Sequence, residues 1–564
     1  MTTMMPRALL AGAIAVALAI SVAACSGIPR TGVVHQGAPV AQDDSNAIEF
    51  LPASPFTGAT QEQILRGFLD AASSPQDDYA IAREYLASTY RGAWDASASV
   101  TVDLGVRTVV PTSETAASLQ TVTSATVDGR GEYTEVKPAV PLTLNYEFIK
   151  EDGQWRLSAV PAGVVIDRFT FDQVFSTHTL YFFDPTFTQL VPDLRFFPSG
   201  SSTTTRIMKA LLLGPAKWLA EGGAVVTAFP ADTALVADAV PIAARIAMVD
   251  LTSQALDATR EGLMHMQAQA AASLNSVDTV SGVKLLVDGN VQEIAVSTNP
   301  NLDVTTRVDA RPLATVNGTF GFLNGESVET IAGLSELLQP LGASAVTVAS
   351  ALTLAAARTE AGVVLVRSTS GVTVLDARPG LISPTLDPSN YIWSVPADAP
   401  TEINVYSTDG QVTQVVAPWP DASRIVALNV ARDGTRLVAL LEQGGQTRFV
   451  AANVQRGEHN RPVTIGSPIN LITGSGTPLD ATWADPFTVV SLVKGADGSS
   501  HFVSQTLGGQ SQELPSSVPV VSLAGANMIT QLRVRAADGS LYVLRGTSYW
   551  QIIASDVSML ATLQ

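Results

Sequence analysis

IVALNVARDGTRLVAL, residues 425–440, reads as two short apolar strands folded about Asp433-Gly434. Asp-Gly supplies the positive φ that a tight type I′ turn needs, so the stretch is a strand–turn–strand unit. Similar units recur from about residue 312 onward, with turn signals at Asn317-Gly318, Asn324-Gly325, Asp409-Gly410, Asp497-Gly498 and Asp538-Gly539. They centre near residues 360, 390, 433, 486 and 538. That uneven spacing of roughly thirty to fifty residues overlaps the repeat length of propeller blades. Trp393, Trp483 and Trp550 fall at related places in three units, as blade-packing aromatics would. Helical periodicity disappears here except around Glu329 to Leu338. The expectation is an all-β propeller over residues 299–564 with about six blades, residues 312–332 closing the ring. A pair of β-sandwiches is the alternative.

Upstream, residues 177–298 mix both periods. Leu180 to Phe183 and Leu190 to Phe197 read as strands. Ile207, Met208, Leu211 and Leu212 form the buried stripe of a helix ended by Gly214-Pro215. Ala243 to Leu251 reads as a strand, Leu263, Met266, Ala270 and Leu274 as one face of a long helix, and Val283 to Val287 as a last strand. This order predicts a mixed sheet with helices packed on it. Residues 59–176 predict another α+β domain. Thr60-Gln61-Glu62-Gln63 has capping-box spacing. Ser74-Pro75 opens a second helix carrying Ile81, Tyr85, Tyr90 and Trp94. Then Leu142, Leu144, Tyr146 and Phe148 alternate as a strand, and Asp152-Gly153 turns into Trp155, Leu157 and Ala159. The fold class expected is multidomain: two α+β domains followed by an all-β propeller.

The first residues decide location. Arg7 precedes an apolar run from Ala8 to Val22, and Val22-Ala23-Ala24-Cys25 follows. A run of about fifteen residues is short for a bilayer span, which takes about twenty. Small residues before the cysteine fit a removable signal. Lipoprotein processing needs a thiol to take a diacylglycerol, small residues at the two preceding positions and an apolar residue at the third; all are present. Cleavage is expected between Ala24 and Cys25, so residues 1–24 are a signal peptide. Cys25 then carries an S-diacylglycerol and an N-acyl chain such as palmitate. Residues 25–58, rich in Gly, Pro, Ser and Asp, form a flexible tether. No later stretch reads as a membrane span, so the rest is expected at the outer, extracytoplasmic face of the cell membrane.

Composition narrows the function. Hydrophobic residues make up 46% and charged residues 15%, enough apolar content for real cores. The net charge of −18 lacks the basic excess that phosphate-backbone neutralisation needs, which argues against nucleic acid. Cys25 is the only cysteine, so no disulfide framework and no cysteine nucleophile is available. His35, His178, His265, His459 and His501 are too scattered to form a metal pair by sequence spacing. No G-x-S-x-G elbow occurs, and Gly214-Pro215-Ala216-Lys217 lacks phosphate-loop spacing. Asp184, Asp193, Asp250 and Asp257 form no paired-carboxylate pattern. The Asp-Gly pairs read better as turns than as calcium loops. No catalytic, metal or cofactor-binding residues are expected, and an enzyme is not.

The order of parts is itself informative. Leu212-Leu213-Gly214-Pro215, then Ala228-Phe229-Pro230-Ala231-Asp232-Thr233, then Arg245-Ile246-Ala247-Met248-Val249-Asp250-Leu251 resemble the GerMN domain of spore-germination proteins: a helix ending in Leu-x-Gly-Pro, a Pro-containing strand entry and a strand ending in Val-Asp-Leu. Ser383-Pro384 to Trp393 and Ala481-Thr482-Trp483-Ala484-Asp485 resemble the propeller repeats of the LpqB family of actinobacterial lipoproteins. A lipobox, a GerMN-like domain and a degenerate propeller, in that order, resemble that family over nearly the whole mature chain. The resemblance implies an accessory lipoprotein of a two-component system, contacting the extracytoplasmic domain of an MtrB-like sensor histidine kinase and acting on envelope and division signalling. It assigns no catalytic residue and transfers only Cys25 as the lipidation site. A module binding cell-wall glycan or peptide is the alternative, and an envelope hydrolase a weaker one.

Overall fold

The computed structural model describes residues 52–294, 306–325, 327–517, 519–546 and 549–564. Cys25 and Ala24 lie outside them. Residues 47–564 belong to one compact unit. Among the described residues no helix is long and apolar enough to cross a membrane.

The first α+β region starts with the helix Gln61–Ala71, closed by a true capping box. Thr60 Oγ1 accepts from the Gln63 amide at 3.3 Å, and Gln63 Oε1 accepts from the Thr60 amide at 2.9 Å. Two of the four orphan N–H groups at this end are thereby satisfied. Ile64, Leu65, Phe68 and Leu69 are buried on one face, where Phe68 meets Trp94 and Tyr146 edge-on at 5.1 and 6.5 Å. The expected second helix is a single short turn, Ala80–Glu84, behind a 3-10 turn at Gln76–Asp78. Asp77, Asp78 and Tyr79 adopt positive φ, which breaks any helix begun at Pro75. Leu86 then bridges to Leu157, so Tyr90 and Trp94 reach the core from turns. The sheet under the helix is built on the long strands Ala116–Asp128 and Tyr133–Glu151. Asp152 and Gly153 both have positive φ and turn the chain into Gln154–Ala159. Ser99–Asp103 adds a parallel pairing to Val164–Asp167.

A two-stranded hairpin, Phe175–Phe183 with Leu190–Pro198, is shared between regions. Phe175 and Phe196 join the first core with Phe171 and Tyr133, while Leu180, Phe182, Val191 and Phe197 face the second core. That second core holds the helices Thr203–Leu212 and Arg260–Leu274 against a mixed sheet. Ile246–Leu251 runs parallel to Gly282–Val287, while the short flanking strands Ile242–Ala243 and Asn290–Val291 are antiparallel. The strand expected from Ala243 is interrupted, because Ala244 and Arg245 take positive φ and turn the chain back on itself. The Pro-containing segment 228–233 is irregular; the Gln269 side chain holds it by accepting from the Ala228 amide at 2.8 Å.

The C-terminal region is a propeller of four-stranded antiparallel sheets. The first blade runs from Ala345–Val348 to Gly371–Asp376, and the second from Thr385–Leu386 to Val412–Val415. The third runs from Ala422–Val430 to Pro462–Ile465, with Ile469–Leu471 added beside its third strand. The fourth spans Thr477–Trp483 to Ser511–Ser517, and the fifth Val520–Ala524 to Tyr549–Ala554. The sixth joins the two ends of the domain: Val557–Leu563 is its innermost strand, and Leu313–Val316, Thr319–Asn324 and Ser327–Glu329 complete it. Thr562 and Leu563 also pair in parallel with Thr347 and Val348, joining the sixth blade to the first. The three tryptophans are not equivalent. Trp393 lies on a second strand, Trp483 on an innermost strand and Trp550 on an outermost one. What they share is a satisfied indole, donating to Asp387, to the Asn429 carbonyl and to the Pro515 carbonyl respectively.

Candidate functional site

Around the propeller axis the innermost strands leave space because many inward residues are small: Ala345, Thr347, Ala427, Ala481, Ser522 and Thr562. The result is a cavity of about 660 Å³ walled, among the described residues, by propeller residues alone. Such a volume lies in the range of small-molecule sites. Five charged side chains line it: Arg358 on the first blade, Arg424 and Glu442 on the third, Asp480 on the fourth and Arg535 on the fifth.

Their surroundings differ. Arg358 Nε donates to Ser344 Oγ at 2.8 Å and Nη1 to the Leu381 carbonyl at 3.2 Å. Arg535 makes one long bond, Nη1 to the Val557 carbonyl at 3.5 Å, and its buried Nε finds no partner among the described residues. The buried Ser522 hydroxyl is also unpartnered. Asp480 accepts from the amides of Ala481 at 2.9 Å and Leu523 at 2.8 Å. Burial pushes its carboxyl up to about 7, against the pull of those two amides and of Arg358. Desolvation lowers Arg358 and Arg535, with Asp480 partly offsetting it at Arg358. Both guanidiniums nonetheless stay protonated at neutral pH. Arg424 sits at the rim and pairs with Asp398 at 2.8 Å.

The other end of the axis is closed by the middle domain. Gln189, Leu190 and Pro192 of its hairpin face Arg432, Arg436 and Trp483, leaving a cavity of about 30 Å³. Arg436 is almost fully buried; it pairs with Asp433, donates to the Pro486 carbonyl at 2.8 Å and stacks over Trp483 at 5.0 Å. Arg432 donates to the carbonyls of Ala526 and Leu563, linking the third blade to the fifth and sixth; burial lowers its pKa to about 10, partly offset by Asp485. The channel is thus open at one mouth and plugged at the other.

Polar latches hold the plug. Asn453, fully buried on the third blade, donates to the carbonyls of Trp218 and Glu221 at 2.8 Å and of Leu219 at 3.3 Å. Gly222 sits so close that a Cβ there would lie 2.2 Å from the Gln455 side chain, and its φ of 65° already favours glycine. Trp218 packs on the propeller beside Val438 and Phe449. The first region touches the fourth blade through Glu135, which accepts from the Ser511 amide and hydroxyl at 2.7 and 3.0 Å. Asn453→Ala, which leaves the Trp218 and Leu219 carbonyls without this donor while Glu221 keeps the Ala224 amide, is expected to cost about 1–3 kcal/mol, read as an earlier urea midpoint.

His35 lies outside the described residues, and the described titratable residues singled out from the sequence do not converge. His178 is buried and hydrogen-bonds Ser276 Oγ at 2.9 Å. His265 stacks on Phe187 at 4.9 Å as a packing residue. His459 occupies a turn with positive φ, and His501 meets Ser499 Oγ at 2.8 Å. Asp184 caps its own hairpin loop by accepting from the amides of Thr186, Thr188 and Gln189. Asp193 is paired with Arg195, and Asp250 accepts from the Gly289 amide. Among the described residues no group of three or more His, Cys, Asp or Glu side chains is placed to hold a metal ion. Arg358, Asp480 and Arg535 carry no motif. Each is a charge inside a short strand, with Arg533 a second charge beside Arg535, and ring closure is what brings them together.

Comparison with known proteins gives three family matches in chain order. The lipoprotein LpqB N-terminal domain matches residues 54–172, the sporulation and spore germination domain residues 179–293, and the lipoprotein LpqB β-propeller domain residues 303–559. Lipoprotein LpqB of Cutibacterium acnes is 29% identical over 277 residues, 49% of this chain and 46% of that protein. Lipoprotein LpqB of Bifidobacterium longum is 27% identical over 491 residues, 79% of this chain and 78% of that protein. The match thus spans about half the length of the first relative and more of the second. The first GerMN domain of the sporulation protein GerM from Bacillus subtilis is 20% identical, covering 23% of this chain and 97% of that domain, with a TM-score of 0.18.

Proposed function

This chain belongs to the LpqB lipoprotein family, and from that premise we propose that it is a membrane-anchored accessory lipoprotein that biases a sensor histidine kinase in the same membrane. Cys25, freed by cleavage after Ala24, carries the diacylglycerol and N-acyl chains, and the described unit stands on the extracytoplasmic side. The kinase is MtrB-like, and envelope and division signalling is the output. The protein is not an enzyme in this reading. It acts through a docking surface, the open propeller mouth.

One observation supports that surface above others: among the described residues the open mouth is walled by propeller residues alone, whereas the opposite end is occupied by the middle domain. Loops around such a mouth form a broad contact face on a rigid scaffold. Lipid anchoring makes a weak contact sufficient, because a partner in the same membrane is met at high effective concentration. A coupling of about 1–3 kcal/mol between docking and kinase state changes output about five- to hundredfold.

Anchoring is tested by Cys25→Ser. Two or more acyl chains give stable membrane anchoring, at about 0.8 kcal/mol per buried methylene, where a single chain binds only reversibly. The variant is therefore expected in the culture medium while the wild type sediments with membranes. A Cys25→Ser protein that still sediments quantitatively with membranes overturns the lipid anchor.

A further inference from the structure

We propose that the open half of the propeller channel is a binding site for an anionic ligand, a phosphate- or carboxylate-bearing small molecule gripped by Arg358 and Arg535. This site does not depend on a kinase being the partner. It follows from unused hydrogen-bonding capacity in a walled space. A guanidinium has five donors, and Arg535 spends one of them, on Nη1, in a bond at 3.5 Å, while Nη2 makes no bond among the described residues. Arg358, from a blade on the other side of the sixth, has two donors engaged and Nη2 to spare. An oxyanion is the ligand chemistry that takes parallel N–H donors from forked guanidiniums.

Charge points the same way. The chain carries −18, yet three of the five charged groups facing the cavity are arginines. At the rim Arg424 pairs with Asp398 and stands opposite Glu442 in the strand ladder, so this group adds no net positive charge. Asp480 is the remaining counter-charge, and burial keeps it substantially protonated near neutral pH. The inner cavity is therefore a positive pocket on an acidic protein. A low-dielectric wall strengthens its attraction for an anion relative to open solvent.

The test is isothermal titration calorimetry on the full-length chain in detergent, at low ionic strength, with pyrophosphate and citrate as separate probes. Saturable binding of at least one probe is expected, weakened at least tenfold in Arg358→Gln and in Arg535→Gln. Arg367→Gln, outside the cavity, leaves it unchanged. Pyrophosphate alone assigns a phosphate ligand, citrate alone a carboxylate, and both the shared anion chemistry. Asp480→Asn, titrated at pH 9 where the wild-type carboxyl is ionised, removes the competing charge without touching an arginine and tightens binding several-fold at that pH; this variant decides the matter if neither arginine variant folds by circular dichroism. Failure of both probes to bind overturns the site. So does wild-type affinity in both folded arginine variants, or the absence of tightening in Asp480→Asn.

Discussion

Truncation after Ser555 abolishes cooperative unfolding of the propeller. The lost segment contains Val557–Leu563, the innermost strand of the sixth blade, paired antiparallel with Leu313–Val316 and in parallel with Thr347 and Val348. Val557, Met559, Leu560, Ala561 and Leu563 are all buried. They serve two cores: one with Phe320, Phe322, Val346 and Val348, the other with Ala314 and Leu541. Burying a Val, Leu or Met side chain contributes about 1.5–3 kcal/mol, so the four larger side chains together contribute about 6–12 kcal/mol. That equals the whole net stability of an ordinary domain. The deletion also exposes ladder edges on both the sixth and the first blade, which invites aggregation. Urea unfolding followed by tryptophan fluorescence is expected to show no propeller transition, and size-exclusion chromatography to show aggregates. A sharp transition at the wild-type midpoint would mean that the ring does not depend on this strand.

The second large effect is expected at Arg195. This side chain is fully buried in the hairpin between the two α+β regions. It forks onto Asp193 at 2.9 and 2.6 Å, lies 3.4 Å from Glu132 and donates to the Arg130 carbonyl at 2.9 Å. Asp193 also accepts from the Ala216 amide at 2.8 Å, fixing the turn after Gly214-Pro215. Arg195→Met keeps much of the volume and strands the Asp193 carboxylate in the interior. Breaking a buried pair in this way costs about 3–5 kcal/mol. Circular dichroism in urea is expected to register that loss, and the double variant Arg195→Met, Asp193→Leu to recover part of it, because no uncompensated charge is then left. A loss under 1 kcal/mol in the single variant would show that the pair is not structurally important.

Local signals in the sequence carried over well. The Thr60 box and the Asp152-Gly153 turn depend on residues within a few positions of each other, and both form as read. The helix run expected after Ser74-Pro75 fails because apolar spacing says nothing of the positive φ at Asp77, Asp78 and Tyr79. In the propeller, the recurring turn signals mark different joints. Those near 390, 433 and 486 separate first from second strands, while those near 360 and 538 separate second from third. That shift in phase makes the repeat look irregular and makes three tryptophans look equivalent when they are not. The arginine-lined cavity was illegible for a different reason. Arg358, Asp480 and Arg535 lie on three blades, and no periodicity relates residues that meet only when the ring closes.

Docking at the open mouth is tested most directly by site-specific photo-crosslinking in intact membranes. Val521 lines that mouth and is 40% exposed, and Ile149, 47% exposed on the first domain, serves as the comparison position. A photoreactive residue at 521 is expected to capture the extracytoplasmic domain of a sensor histidine kinase, and one at 149 is not. Capture of the kinase from 149 alone, or from neither position while both variants remain folded and membrane-bound, would contradict the account.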